Sequence, residues 1–222
     1  LVGSEMCIRD RVSVVFTKHF KPMVIGTFIM VATYSLFYIM TAFAQAYSRT
    51  PATLSEAGYP MGLGIPANTF TGLLLMSAIV FAIFISISGL YADKIGRRKW
   101  LIWTTVSILI FALCMPLFLG NGTPASVFAF LVIGMALMGM TFGPMAALLP
   151  ELFPTEVRYS GASLAYNIAS IIGATIAAMI SLKINALYGV MGVGIYLAIN
   201  AFLTLLALLA SKETKNVDLT QI

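Results

Sequence analysis

Two long apolar runs of the chain are separated by the stretch GLYADKIGRRK, residues 89–99. This stretch contains one carboxylate, Asp93, together with two glycines and four of the thirteen Lys and Arg residues of the chain. The runs on either side, 67–91 and 100–119, contain no Asp or Glu. Because about 20 apolar residues in a helix cross the hydrocarbon core of a bilayer, this pattern predicts a charged loop between two membrane-spanning helices.

The composition of the whole chain indicates the same class of protein. Of its 222 residues, 60% are hydrophobic and 9% are charged, whereas a soluble domain has roughly half apolar and a quarter charged residues. The sequence predicts an all-α membrane protein whose single domain, residues 22–210, is a bundle of six transmembrane helices. The predicted spans are 22–47, 67–91, 100–119, 126–149, 160–182 and 190–210.

Lys and Arg are distributed unevenly between alternate loops. Eleven lie in the two terminal segments and in the loops after the second and fourth spans, and only Arg49 and Lys183 lie in the other loops. Since short loops rich in Lys and Arg stay in the cytoplasm, both termini are predicted to be cytoplasmic. Residues 12–21 then form a cytoplasmic linker and residues 211–222 a cytoplasmic tail. A net charge of +5 that is spread over such loops does not favour nucleic-acid binding.

The first residues and the rare side chains that can bind metals have no role in the predicted bundle. Residues 1–11, LVGSEMCIRDR, resemble a translated sequencing adapter, so we expect the native sequence to begin near Val12. Cys7, Cys114 and His19 have no spacing that could build a metal site. The sequence therefore predicts neither a metal nor a cofactor.

The residues of the charged loop have chemistry that is typical of a contact between helices. Gly89 is expected to end a helix where another backbone approaches closely, and Gly96 to permit a tight turn. Asp93 is expected to accept hydrogen bonds from the N-terminus of another helix. Arg97 and Arg98 are expected to hold the loop at the membrane surface and to pair with nearby carboxylates.

A second charged segment, PELFPTEVRYSG at residues 150–161, follows the fourth span. We expect Glu151 to meet Arg97, Arg98 or Arg158 there. The alternative interpretation is ordinary capping of a helix end by a polar loop.

The order G-x-x-x-D-x-x-G-R-R-K resembles the loop that major facilitator transporters carry after helix 2 and again after helix 8. Together with residues 142–149 and 162–167, the segment 150–161 is similar to the metabolite:proton symporters of that superfamily, which move shikimate, 2-oxoglutarate, citrate, proline and betaine. The resemblance implies the C-terminal half of a twelve-helix fold, with the N-terminal six-helix half as its partner. It also implies that Gly89, Asp93, Gly96, Arg97, Arg98, Glu151 and Arg158 form a latch between the halves.

The implied function is secondary transport of an organic acid or zwitterion across the inner membrane of a bacterium, by alternating access and proton symport. Polar residues that recur at helical spacing predict a substrate cavity; they are Tyr34, Tyr38, Thr41 and Gln45 in the first span and Ser163, Tyr166 and Asn167 in the fifth. The alternative is that they form hydrogen bonds between packed helices. The spans contain no carboxylate that could carry the coupled proton.

Three other functions are alternatives to proton symport of a metabolite. A proline/betaine osmolyte symporter and a half-transporter that dimerises both remain compatible with the sequence. A six-helix membrane enzyme or receptor is not favoured, because convergent catalytic groups within the spans are missing from the sequence.

Overall fold

The computed structural model describes residues 8–211, with the side chains of residues 12–177 and 179–211. Within this part of the chain lie nine α-helices: α1 Ile8–Lys18, α2 Phe20–Tyr38, α3 Ala44–Arg49, α4 Ala67–Ile95, α5 Arg97–Leu113, α6 Met115–Leu119, α7 Pro124–Glu151, α8 Arg158–Ser170 and α9 Ile176–Ala210. Two π-helical turns, Ile39–Phe43 and Ile171–Thr175, join α2 to α3 and α8 to α9. Most of the predicted tails, residues 1–7 and 212–222, lie outside the described residues.

Four helical runs in the described part are long and apolar enough to cross a membrane: Phe20–Arg49, Ala67–Ile95, Pro124–Glu151 and Arg158–Ala210. This confirms the prediction of an all-α membrane protein, without the number of spans. The predicted third span corresponds to α5 and α6, which are separated at Cys114. This break comes two residues before Pro116, which has no N–H to donate to the carbonyl of Ala112.

The predicted fifth and sixth spans fall within the single run Arg158–Ala210. Its backbone leaves the helical region at Gly189, where φ is 67° and ψ is −172°. The turn that we expected over residues 183–189 is therefore confined to Gly189, because residues 183–188 remain helical. A positive φ of this kind is readily adopted only by glycine.

The helices pack in a connected bundle. Helix α4 lies along α7, α2 contacts α8 and α9, and α5 contacts both α7 and α9. Two buried apolar clusters fill the interior. One surrounds Phe43, Phe111 and Phe130, and the other surrounds Met30 and Phe153.

The two ends of the bundle carry different loops. We call the end with the α4–α5 connection the Asp93 end, and the end with residues 50–66 the Arg49 end. Residues 50–66 fold back over α3, since Leu63 N–H donates to Tyr47 O (3.1 Å) and Ile65 N–H donates to Ser48 O (2.7 Å).

Helix α4 is the least covered of the four long runs. Only 11% of its most apolar stretch is buried, against 72% for the run Phe20–Arg49. Its buried residues, Phe70, Ser77, Ser88 and Ala92, lie on one face of the helix, which packs against α7. Most of its surface is therefore open to lipid or to another protein segment.

Candidate functional site

The α4–α5 connection is a single glycine that places Arg97 at the start of a helix. Helix α4 ends at Ile95, and Gly96 has φ 114° and ψ 129°. Its N–H donates to Ala92 O (2.9 Å), and its carbonyl accepts from Trp100 N–H (3.0 Å). Residues other than glycine rarely adopt this φ. The conformation of Gly96 therefore fixes the orientation in which Arg97 begins α5.

Arg97 joins two carboxylates from two other helices. Its Nε and Nη2 each lie 3.1 Å from Asp93 Oδ1, and its Nη1 donates to Glu151 Oε1. The Asp93 side chain is 64% exposed, whereas that of Glu151 is 12% exposed. The guanidinium thus connects α4, α5 and α7, with one pair near the surface and one largely buried.

The charge of Arg97 is stabilised by these partners. Partial burial acts to lower the pKa of Arg97, but the hydrogen bonds and charges of Glu151 and Asp93 together outweigh it and raise the pKa. The buried pair differs from an exposed one, because removal of Arg97 would leave the charge of Glu151 uncompensated with little water around it.

Arg98 binds backbone carbonyls of α9, contacts that the sequence did not predict. Its Nε donates to Leu208 O (2.7 Å) and its Nη2 donates to Leu209 O (2.9 Å). These carbonyls belong to the last turn of α9, where backbone acceptors lack helical partners and a positive charge is favoured. Arg98 therefore fastens the start of α5 to the end of α9.

Trp100 connects the start of α5 to the middle of α7. Its Nε1–H donates to Met140 O (3.0 Å), and its ring stacks on Tyr91 with centroids 5.9 Å apart. Met140 lies four residues before Pro144, which lacks the N–H that this carbonyl would normally accept. The indole thus supplies the hydrogen bond that the proline cannot, a contact that the sequence reasoning missed.

The prediction for Gly89 is wrong in one respect. The residue lies inside α4, which continues for six more residues to Ile95. The close approach exists, but Gly143 of α7 makes it, since a Cβ there would lie 2.9 Å from Gly89 N. A Cβ added at Gly89 itself would meet nothing within 4 Å in the described part of the chain.

Arg158 lies close to Glu151 in the sequence but does not pair with it. Its Nε donates to Phe153 O (3.3 Å), and its Nη2 is buried without a hydrogen-bond partner among the described residues. Glu151 Oε2 is likewise buried without such a partner. Of the three arginines considered for Glu151, the structure gives it Arg97.

The predicted cavity residues of the first span do not all share one environment. Tyr34 is buried, whereas Tyr38, Thr41 and Gln45 are half-buried. The π-helical turn Ile39–Phe43 lies between them and adds a residue to one turn, so the helical stripe is offset there.

The hydroxyl and amide groups of this stripe bond mainly to their own helix. Thr41 Oγ1 donates to Phe37 O (2.7 Å). In the orientation that satisfies its amide, Gln45 donates to Thr41 O (3.3 Å) and accepts from Arg49 Nη2 (2.7 Å).

The predicted cavity residues of the fifth span lie on the outside of α8. Ser163, Tyr166 and Asn167 are all exposed, and Asn167 Nδ2 donates to Ser163 O (2.8 Å). The rings of Tyr34 and Tyr166 meet edge to face, with centroids 5.3 Å apart. Tyr34 therefore links the two predicted stripes.

A cavity of about 760 Å³ opens beside these residues near the Asp93 end. Its walls come from α2, α7 and α8 and from the α7–α8 connection. It contains two of the seven predicted cavity residues, Ser163 and Tyr166, and also Arg158, which we had assigned to the latch. Its volume is in the range of small-molecule sites.

Comparison with known proteins identifies the family. The family model described as sugar (and other) transporter matches residues 58–222. The chain belongs to this family of the major facilitator superfamily. No solved structure shows significant similarity to the chain.

Relatives of the chain in this transporter family are named as transport proteins. A Haemophilus influenzae protein named for metabolite transport is 87% identical over 211 residues, which is 95% of this chain and 48% of that protein. The Escherichia coli inner membrane metabolite transport protein YhjE is 52% identical, over 91% of this chain and 45% of its own length. A Salmonella typhimurium proline/betaine transporter is 27% identical, over 90% of the chain and 38% of its own length.

The chain thus spans about half the length of the curated relatives it matches. The names of these relatives confirm the prediction that the chain is not an enzyme. The matched share of these relatives is consistent with one half of a major facilitator transporter.

Proposed function

We propose that the chain is the C-terminal, six-helix half of a twelve-helix carrier that moves a small organic acid or zwitterion across a bacterial inner membrane. In this proposal both ends of the half lie in the cytoplasm, transport proceeds by alternating access, and proton symport drives it. The observation that carries the proposal is the Arg97 bridge between Asp93 and Glu151, which lies beside a long apolar helix that the described chain leaves largely uncovered.

The positions of the ends of the long helical runs support six membrane crossings. The run Arg158–Ala210 would be about 80 Å long if it were straight, far more than the roughly 30 Å of hydrocarbon in a bilayer. Its last turn is held by Arg98 at the Asp93 end, where its first residue also lies. Gly189, in the middle, packs against Tyr59 of the loop at the Arg49 end. A reversal at Gly189 therefore divides this run into two spans.

The same reasoning applies to α5 and α6. Helix α5 begins at the Asp93 end, and a Cβ added at Gly122, just past α6, would lie 3.8 Å from Leu63 in the loop at the Arg49 end. Together the two helices cross the bundle once. The count is then six, with the charged connections at one end.

The exposed surface around the latch residues supports the presence of a partner half. Asp93 is largely exposed, and a Cβ added at Gly89 would meet nothing within 4 Å among the described residues. An N-terminal half packed on this face could place a helix N-terminus at Asp93, where its N–H groups and dipole favour a carboxylate. A second copy of the chain on this face would give the alternative, a dimerising half-transporter.

Alternating access requires that such contacts form and break. The Asp93–Arg97 pair is suited to this because exposed ion pairs contribute only about 0 to 1 kcal/mol. The more buried Arg97–Glu151 pair lies within the half and would remain intact as a rigid part. In this scheme Asp93 exchanges partners, while Glu151 keeps Arg97 in place.

The transport proposal is tested by uptake in the full-length carrier. Cells that express it should accumulate labelled shikimate, 2-oxoglutarate, proline or betaine, and a protonophore should abolish the accumulation. Uptake restricted to proline and betaine would favour the osmolyte symporter. If the carrier reaches the membrane but none of these solutes enters in a gradient-dependent manner, the proposal fails.

The latch is tested by Asp93→Asn. We expect this variant to insert normally and to lose at least about tenfold in uptake rate, the effect of roughly 1.4 kcal/mol on a conformational step. The matched control is Glu56→Gln, which removes an exposed carboxylate at the Arg49 end. Wild-type uptake by Asp93→Asn would show that the loop only anchors the chain at the membrane surface.

A further inference from the structure

Residues 50–66, which we call the strap, join α3 to α4 across the Arg49 end of the bundle. An antiparallel bridge pairs Leu54 with Pro60, and Met61 N–H donates to Thr53 O (2.8 Å). The middle of the strap is therefore a small hairpin that is held by its own hydrogen bonds.

The second half of the strap is anchored in the interior of the bundle. Ile65 is 5% exposed and belongs to the apolar cluster around Phe43. Gly62 lies directly against the end of α3, because a Cβ added there would lie 2.6 Å from Thr50 Cβ. This part of the strap cannot leave the bundle without exposing apolar surface and losing a close contact, and both changes are unfavourable.

The hairpin of the strap reaches across to α9. Asn185 Nδ2 donates to Pro60 O (2.9 Å), and Asn185 is only 1% exposed. The ring of Tyr59 lies against Gly189, because a Cβ added at this glycine would lie 2.7 Å from Tyr59 Cδ1. We call these two contacts the clamp. They join neighbouring strap residues to two positions of α9 that are about one helical turn apart.

The strap also contacts the remaining connection at this end. A Cβ added at Gly122, in the α6–α7 connection, would lie 3.8 Å from Leu63 Cδ2. In the proposed six-span half, the strap, the α6–α7 connection and the reversal at Gly189 are the three connections at the Arg49 end. The strap therefore touches both of the others.

The reversal at Gly189 depends on its neighbours for its position. Residues 183–188 and 190–210 are helical, so a single residue lies outside the helical region. Such a short turn has no side chain of its own to pack, and the backbone groups at the two adjoining helix ends lack helical partners. The contacts that fix the reversal come from other segments, and the clamp supplies two of them.

We propose that the strap clamps the reversal at Gly189 and stays closed throughout transport, so that the fifth and sixth spans keep one position relative to α3. The burial of Asn185 supports this, because an open clamp would separate its amide from Pro60 O in a site with little water. The inference rests on the reversal that the proposed six-span half requires. It gives a conformational role to a connection at the end opposite the latch.

Hydrogen exchange in the purified full-length carrier tests the clamp from both sides. Tyr59→Ala should make the backbone amides of residues 183–189 exchange about threefold to tenfold faster, and Asn185→Ala should do the same for residues 61–65, as expected when one native contact is lost. Each effect is measured in the segment that was not changed, so it reports coupling and not local damage. Unchanged exchange in the opposite segment of both variants would overturn the inference.

Two matched controls lie at the same end of the bundle. Leu54→Ala truncates a side chain of the same hairpin that is 71% exposed. Asn121→Ala removes an exposed amide that donates to Leu117 O (2.9 Å), four residues earlier in the chain. Both variants should leave exchange at residues 183–189 at the wild-type rate. An equal increase in the controls would show that any change at this end loosens the reversal, and it would contradict the clamp.

A cross-link tests whether the strap stays closed during transport. Pro60→Cys and Asn185→Cys are combined in a carrier without other cysteines and are joined by a short thiol reagent with a reducible linker. We expect the cross-link to form and uptake to equal that of the same carrier without the reagent. Loss of uptake that a reductant restores would show that the strap opens, and failure of the cross-link to form would show that the two residues are not adjacent. Either result would overturn the inference.

The exchange measurement separates this inference from the transport proposal, because it needs no uptake. Coupled exchange in a carrier that moves none of the candidate solutes would support the clamp and contradict the transport proposal. Gradient-driven uptake without coupling between the strap and residues 183–189 would do the opposite. If Tyr59→Ala fails to fold, Tyr59→Leu is the milder variant, and the same direction of change is expected.

Discussion

The α4–α7 and α2–α9 helix pairs are held together in different ways. In the first, Gly139 and Gly143 of α7 let the backbone of α4 approach, so that a Cβ at either position would lie under 3 Å from α4 backbone atoms. In the second, the hydroxyl of Thr204 in α9 donates to Phe28 O (2.6 Å) and accepts from Ala32 N–H (3.1 Å) of α2.

The two arrangements have different consequences for motion. Direct backbone contact through glycines gives dispersion contacts over a fixed surface, and neither helix can move without losing them. Thr204 instead occupies a place in the hydrogen-bond ladder of α2, because Phe28 O and Ala32 N–H are the groups that pair in an uninterrupted helix. Insertion of a side chain into the ladder is a recognised cause of bending. We therefore expect α4–α7 to behave as a rigid pair and α2 to bend near Thr204.

The largest effect is expected for Gly143→Ala. The new Cβ would lie 2.6 Å from Ile85 O and 2.9 Å from Gly89 N, and backbone atoms of this kind cannot rotate away. Overpacking should destabilise the carrier by at least about 2 kcal/mol, despite the higher helix propensity of alanine. The free energy of unfolding in detergent would measure this.

Gly72→Ala is the matched control for that variant. It adds the same methyl group to α4 at a position where nothing lies within 4 Å in the described chain. It should be neutral or stabilising by up to about 1 kcal/mol. If both variants destabilise equally, the close contact is not what holds α4 and α7 together.

A smaller effect is expected for Thr204→Val. Valine keeps the shape of the side chain but removes both hydrogen bonds to α2, and interhelical hydrogen bonds in membranes contribute about 0.6 kcal/mol on average and up to about 1.7 kcal/mol. We expect a loss of about 1 to 1.5 kcal/mol in the free energy of unfolding. Thr204→Ser retains the hydroxyl, so a similar loss in both variants would point to packing instead.

The smallest effect is expected for Ser88→Ala. Ser88 Oγ lies 3.0 Å from the carbonyls of both Ile85 and Gly139, so it too connects α4 with α7. The carbonyl of Gly139 also faces the N–H of Gly143 in its own helix, and it would not be left without a partner. We expect a loss of about 0.5 kcal/mol or less. A loss as large as that of Thr204→Val would mean that hydrogen bonding holds this pair as well.

The local features of the charged loop could be predicted from the sequence. Gly96 was expected to permit a turn, and its φ of 114° confirms this. Glu151 was expected to pair with one of three arginines, and the structure selects Arg97 because α5 and α7 bring them together. For Gly89, the prediction that it ends a helix failed, because no sequence signal distinguishes a glycine inside a membrane helix from one at its end when apolar residues continue past it.

Other contacts had only a partial signal in the sequence. Pro144 implies that the carbonyl of Met140 lacks its usual donor, since a helix pairs residues four apart. The identity of the replacement donor, Trp100, could not be deduced, because it depends on how α5 lies against α7. Arg98 is a similar case, since its acceptors are backbone carbonyls 110 and 111 residues further along the chain.

The sequence by itself determined that the protein is a membrane-spanning α-helical chain, where its apolar helices and charged connections lie, and which transporter superfamily it resembles. These properties depend on composition, spacing and residues that are near each other along the chain. Only the tertiary structure decided the partners of individual polar groups, such as Arg97 with Glu151, 54 residues apart, and Ala32 with Thr204, 172 residues apart. The physical reason is that a hydrogen bond or an ion pair acts over about 3 Å, and helix packing alone brings such distant residues within that range.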